Sequence, residues 1–279
     1  AAGGNISVTS TTGATAINGT VGSNGGTANA GAAGSNAGKI IINSAGDLTG
    51  AGLTLSAAGS AANGAGLNLA GGHGALIDVD AVGGITVGNI SAGGGNASTT
   101  NANGGNAGSI AITNNSVTTG AITAGSLSAR TGAAQGTGTG GAAGSISVIN
   151  NAAGQTINTQ ALDASGQTSG AGGDVTITGK GNNTVTGGIS TSGAALGAGT
   201  TAAGRGAGNI TISPLLSDLG YDPMKELVPV TVLASAPYVL VVNPDRVTAR
   251  DIRGFVELAR NQPGKVSWGS STIGSPDHL

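Results

Sequence analysis

Few residues of this sequence are equipped for chemistry, and their spacing decides what chemistry that would be. Before Ser213 the carboxylates are Asp47, Asp78, Asp80, Asp163 and Asp174. Asp78 and Asp80 flank Val79, a spacing that puts both on one face of a strand, where paired carboxylates can do acid–base work on a glycan or hold a cation. Either task needs a third acid, an arginine or an aromatic platform close by. The sequence around Asp78 offers none of these, so the pair reads as a solvated strand face. His73, in GGHGAL, has no His or Asp at ligand spacing and reads as an exposed loop residue. Gly136, Gly138 and Gly141 satisfy GxGxxG by letter, but a strand, SISVI, follows where a phosphate-binding loop needs a helix. A calcium-binding nonapeptide repeat would place Asp at fixed intervals, and stretches such as GAAQGTGTGG have none. The expectation is no metal, no cofactor and no enzymatic activity.

The 279 residues include 56 glycines, only 8% charged and 1% aromatic side chains, proportions foreign to an ordinary globular domain. Residues 1–212 hold 51 of the glycines and nine charges, whereas all seven prolines, Tyr221, Tyr238, Phe255, Trp268 and Met224 follow Ser213. Two unlike sequences are joined, with domains expected at 1–212 and 213–279. A net charge of -2 spread this thinly makes no field that would attract nucleic acid or anionic lipid. The absence of cysteine removes disulfides and thiolate metal sites, leaving packing and hydrogen bonds to hold the fold. No run approaches the roughly 18 consecutive apolar residues of a membrane span. The opening AAGGNISV is not a basic-then-apolar leader, and a helix is only starting at the last residues, so the chain reads as open at both ends.

Self-similarity organises residues 1–212. Apolar pairs recur at Ile6/Val8, Ile40/Ile42, Ile77/Val79, Ile110/Ile112, Ile146/Val148, Val175/Ile177 and Ile210/Ile212, with spacings of 34, 37, 33, 36, 29 and 35 residues. A weaker apolar set follows each pair: Ile85, Val87 and Ile90; Val117, Ile122 and Leu127; Ile157 and Leu162; Val185 and Ile189. Each unit therefore carries at least two short strands. Helical repeats of this length are excluded, because glycine at this density costs about 1 kcal/mol per helical position and no 3.6-residue stripe exists. One coil alone cannot bury a core. Coils stacked at about 4.8 Å place Ile over Val over Ile and let each backbone pair with its neighbours, which is a parallel β-helix of about six coils. Asn114 and Asn115, Asn150 and Asn151, and Asn182 and Asn183 fall near the turn after the first strand, as ordinary turn residues or as a stacked hydrogen-bonded ladder. The third part of each unit, such as SAGGGNASTTNANGGNAG, holds nothing larger than asparagine and should project as a mobile loop or lie flat as a small-residue edge.

The entries GGNAGSIAIT and GGAAGSISVI, with second strands of the form GGITVGNISAGG, resemble the glycine-rich β-helical repeats of filamentous-haemagglutinin-like adhesins and autotransporter passengers. That resemblance covers residues 1–212 and implies a secreted or surface-exposed scaffold, with an unidentified surface receptor or matrix as partner. β-Helices also host polysaccharide lyases and glycosidases, but the missing acids and aromatics set that class aside.

After Ser213 the pattern becomes that of an α/β protein. VPVTVLAS, YVLVVN and KVSWGSS read as strands, and Thr248 as the N-cap of a helix carrying Ile252, Phe255, Val256 and Ala259 on one face. Tyr221–Pro223, Pro229–Val230, LVVNP, Pro263–Lys265 and the closing GSSTIGSPDHL resemble the Bug-type periplasmic solute-binding proteins of tripartite tricarboxylate transporters. ISPLL at the junction is shared between the last repeat strand and the segment that precedes the family's YDP. The resemblance implies an incomplete piece of one of two α/β lobes that close on a small carboxylate, and a periplasmic location as the alternative to the cell surface. Ser270, Ser271, Gly274 and Ser275 are the candidate ligand-binding residues it carries over. A Gly- and Ser-rich loop entering a helix exposes backbone N–H groups where a carboxylate binds well. The chain as a whole reads as a solenoid scaffold fused to a partial solute-binding segment.

Overall fold

The computed structural model describes residues 1–50, 52–64, 68–98, 101–193, 210–212, 247 and 251–261. The chain divides into two units, Ala1–Pro223 and Met224–Leu279. The alternation of apolar and small polar residues becomes strands of three sheets, visited in turn by each coil. The first coil holds β1 (Ile6–Ser10), β2 (Thr15–Ala16) and β3 (Thr20–Gly22); the second holds β4 (Ile40–Ser44), β5 (Leu48–Gly50) and β6 (Thr54–Ser56). Then come β7 (Ile77–Ala81), β8 (Ile85–Val87) and β9 (Ile90–Ser91), followed by β10 (Ile110–Asn114), β11 (Ile122–Ala124) and β12 (Leu127–Ser128). The series continues with β13 (Ile146–Asn150), β14 (Ile157–Thr159), β15 (Leu162–Asp163), β16 (Val175–Gly179), β17 (Asn183–Val185), β18 (Ile189–Ser190) and β19 (Ile210–Ile212).

The sheets run β1-β4-β7-β10-β13-β16-β19, β2-β5-β8-β11-β14-β17 and β3-β6-β9-β12-β15-β18. Each strand pairs in parallel with its equivalent one coil away, so the fold is the mainly β parallel solenoid that the spacing predicts. Register is set by the inward columns. Ile110 pairs with Ile77 and Ile146, and Ile146 with Val175, while Ile112 lies between Val79 and Val148. The weaker apolar set supplies two strands in different sheets, so each unit has three. Val117, expected within that set, is instead 66% exposed in a turn, because Asn115–Gly120 turns the corner rather than extending.

Sequence spacing predicts about six coils, and about four of them form complete turns. In the second to fifth coils every sheet contributes a buried apolar side chain, as Ile110, Ile122 and Leu127 do in the fourth. Ile6, Val8, Ile17 and Val21 in the first coil, and Val185 and Ile189 in the sixth, are only partly buried against that core. The polar ladder is also shorter than its sequence pattern. Asn114 and Asn150 are fully buried, and Asn114 Nδ2 donates to Asn150 Oδ1 at 3.0 Å. Each Asn also closes its own turn: Asn114 Oδ1 accepts Ser116 N–H (2.9 Å) and Asn150 Oδ1 accepts Ala152 N–H (3.1 Å). The ladder stops there because the next register partners are Ala81 and Gly179, and Asn183 falls instead in the second sheet opposite Ile157.

The glycine-rich third part lies flat and is packed as two hydrogen-bonded layers. On the returning segment, the N–H groups of Gly71, Gly74 and Ile77 donate along the layer to Asn103, Asn106 and Ser109 oxygens of the next coil. Gly72 and Ala75 donate across to Ser60 and Ala57 on the outgoing segment. A direction that recurs every third residue is the geometry of a polyproline II helix, which leaves its backbone groups free for neighbours. Cross-layer bonds run through the whole stack: Ser60 N–H to Ser35, Gly72 to Ser60, Gly95 to Gly72, Gly105 to Gly95 and Gly132 to Gly105, at 2.8–3.0 Å. The layers approach so closely that a Cβ at Gly95 would overlap the Ser60 carbonyl, and one at Gly105 the Gly72 carbonyl. Glycine is required here by contact, not by flexibility.

In the second unit, α1 (Ile252–Asn261) forms where a helix is expected. Its N-cap is Asp251, whose Oδ1 accepts Gly254 N–H at 2.7 Å and satisfies a donor of the first turn; Thr248, the expected cap, lies outside the described residues. Val256, expected on the apolar face, is exposed. The segments VPVTVLAS, YVLVVN and KVSWGSS lie outside the described residues.

Ile112→Asp should destabilise the solenoid by several kcal/mol, because it buries an unpaired charge in the central layer. Gly95→Ala should cost about 1–3 kcal/mol by forcing the two layers apart. Gly13→Ala, where a methyl meets nothing within 4 Å, should be neutral or stabilise by up to about 1 kcal/mol. Urea denaturation of the three variants checks these outcomes, and equal losses at Gly95 and Gly13 would contradict the packed-layer account.

Candidate functional site

The sheet that carries the core also presents the paired carboxylates. Asp78 and Asp80 project from the outer face of β7, Asp78 beside Ile41 and Ala111, Asp80 beside Asn43 and Thr113. No cation sits in register with either. Partial burial, and secondly the charge of Asp80, raise the Asp78 carboxyl above its usual value of 3.8. This is a pair left to repel across a strand, not one neutralised by a partner. Among the described residues, no group of three His, Cys, Asp or Glu side chains gathers to hold a metal ion.

Asp47, Asp163 and Arg130 serve the stack. Asp47 Oδ1 accepts Gly84 N–H from the next coil at 2.7 Å. Asp163 pairs with Arg130 at 3.1 Å and accepts Ser165 N–H at 3.0 Å, and an ion pair this exposed contributes at most about 1 kcal/mol. His73 is exposed, as expected of it, but it has a defined place. Its N–H donates to Asn36 Oδ1 (2.8 Å), its Nδ1 accepts Asn106 N–H (2.9 Å), and Asn106 Oδ1 accepts Ala142 N–H (2.9 Å). These are the N–H groups that point outward from the returning layer, each capped by a side chain one coil earlier. The signal for this arrangement is an acceptor that recurs at the coil spacing: Asn36 in GSNAG, His73 in GGHGAL and Asn106 in GGNAG.

Two grooves lie on this surface. One, of about 450 Å³, crosses the corner between the second and third sheets and is lined by Thr54, Thr86, Asn89, Thr123 and Gln160 among others. The other, of about 430 Å³, lies on the returning layer around His73, Asn103, Asn106 and Thr139. Neither contains a carboxylate. Both offer hydroxyls and amides in rows, without a nucleophile–base pair or an aromatic platform. The groups that acid–base catalysis requires are not brought together in either groove.

Ser270, Ser271, Gly274 and Ser275 lie outside the described residues, so the structure places none of the carried-over candidates. The similarity to known proteins falls on that segment. Residues 175–279, less than half of the chain, match the tripartite tricarboxylate transporter family receptor. The match contains the 214–279 segment whose motifs resemble that family and begins earlier, at the first residue of β16, within the solenoid. No curated protein and no solved structure matches the chain. No described helix is long and apolar enough to cross a membrane.

Asp78→Asn tests the charge reading. A carboxyl whose folded-state pKa is raised favours the fold when neutral, so its contribution is full below 3.8 and is lost as pH rises through the raised value. At neutral pH the variant should therefore equal or exceed the parent in stability by no more than about 0.5 kcal/mol, given solvent screening. That margin should vanish in acid. Thermal melts across the pH range give the comparison, and a clear loss of stability at neutral pH would mean that Asp78 holds a cation.

Proposed function

We propose that residues 1–212 act as a non-enzymatic scaffold, an adhesin- or passenger-like solenoid displayed outside the cytoplasm and joined to a segment of the tricarboxylate receptor class. The observation that carries this reading is the parallel stack itself, whose two described grooves present rows of hydroxyl and amide groups. Scaffold partners would be a surface receptor or matrix that reads rows of hydroxyl and amide groups. A cysteine-free chain held by backbone hydrogen bonds suits such an environment, because nothing in it depends on redox conditions.

A second reading, a periplasmic substrate-binding protein of a tripartite tricarboxylate transporter, is favoured by the family match over residues 175–279. Its ligand would be a small carboxylate and its candidate contacts Ser270, Ser271, Gly274 and Ser275. For residues 1–279 by themselves, such a loop would supply about three hydrogen bonds, each netting about 1 kcal/mol. Association costs an estimated 4–15 kcal/mol in translational and rotational freedom, so one loop does not hold the ligand. Titration calorimetry of the purified chain with citrate and glutamate should accordingly give no saturable heat. Binding tighter than about 1 mM, equivalent to -4.1 kcal/mol, would replace the scaffold reading with the receptor reading.

A further inference from the structure

Four Asn-Gly dipeptides occur in the sequence: Asn18–Gly19, Asn24–Gly25, Asn63–Gly64 and Asn103–Gly104. Glycine has no Cβ to shield its nitrogen, so each dipeptide is chemically able to cyclise. The stack treats them unequally. Asn24 Oδ1 accepts Ala58 N–H (2.8 Å) and the Ser56 hydroxyl (2.7 Å), while Gly25 N–H donates to Ala58 O (2.9 Å). Asn103 Oδ1 accepts Thr139 N–H (2.9 Å), and Gly104 N–H donates to Thr139 O (3.1 Å). In both, the amide to be attacked and the nitrogen that attacks are held by the next coil. Asn63 is held by half, its Nδ2 donating to Ala28 O at 3.1 Å. Asn18 is exposed at the corner between β2 and β3, and neither its side chain nor the Gly19 N–H makes a hydrogen bond among the described residues. Gly19 has φ +96°, a backbone that only glycine adopts readily.

We propose that Asn18–Gly19 is a site of spontaneous covalent modification, deamidating through a succinimide while the dipeptides built into the stack are protected. The Gly19 nitrogen attacks Asn18 Cγ, the Cγ–Nδ2 bond breaks, and ammonia leaves with the proton lost by the glycine nitrogen. Water then opens the ring at either carbonyl, giving aspartate or isoaspartate. Each product adds a negative charge to a chain of net charge -2, and isoaspartate also lengthens the main chain between β2 and β3.

Ageing the full-length chain in mildly alkaline buffer, followed by proteolysis and fragment-ion sequencing, tests this. Asn18 and Asn24 lie before the first basic residue, Lys39, so one tryptic peptide reports both. Asn18 should convert at least about tenfold faster than Asn24 or Asn103, since at those sites reaction requires opening at least two inter-coil hydrogen bonds. In concentrated urea the rates should converge. Conversion of Asn24 or Asn103 as fast as Asn18 in the folded chain, or an undiminished advantage for Asn18 in urea, would overturn the proposal.

Discussion

The solenoid depends on a single constraint, that every coil must satisfy its backbone N–H and C=O groups on the coils above and below. In the sheets this is the parallel ladder that holds Ile110 between Ile77 and Ile146. In the glycine-rich layers it is the three-residue rotation of donors that serves the same layer, the opposite layer and the outer face in turn. Side chains adapt to this spacing. Ile, Leu and Val fill the space that the three sheets enclose, and glycine occupies the positions where two backbones touch. With almost no aromatic residues available, the core is thin, and hydrogen-bond satisfaction carries a larger share of the specification than in a globular domain.

The same constraint explains why polar residues are absorbed into structure. An asparagine or histidine one coil away is the nearest acceptor for an outward N–H, so Asn36, His73 and Asn106 form a chain of caps rather than a binding constellation. Asp47 does the same for Gly84. Among the described residues, Asp78 and Asp80 on β7 and Asn18 at the corner between β2 and β3 stand outside this pattern.

The match to a transporter receptor beginning at Val175 places two descriptions on one stretch of chain. Val175 and Ile177 are buried members of the solenoid core, but the second-sheet column loses its apolar residue at Asn183. Asn183 leaves both atoms of its amide without a partner in a buried position, so the repeat weakens where the family match starts.

Much of this was determined by the sequence alone. The recurrence of Ile and Val pairs at about 34 residues dictated a parallel stack and its register, because a slip of one residue would turn every apolar side chain to solvent. The scarcity of acids, aromatics and cysteines by itself limited the chemistry open to residues 1–212. Periodicity could not say how a run of glycine and asparagine would be used, since such residues carry no inward or outward preference. Only the tertiary structure decided that these runs form two interlocked layers, that Asn114 and Asn150 make one rung rather than a long ladder, and that Asp251 caps α1. Each of those outcomes turns on which backbone group is left unpaired at a given place, and that is settled by the neighbouring coil or turn, not by the residue itself.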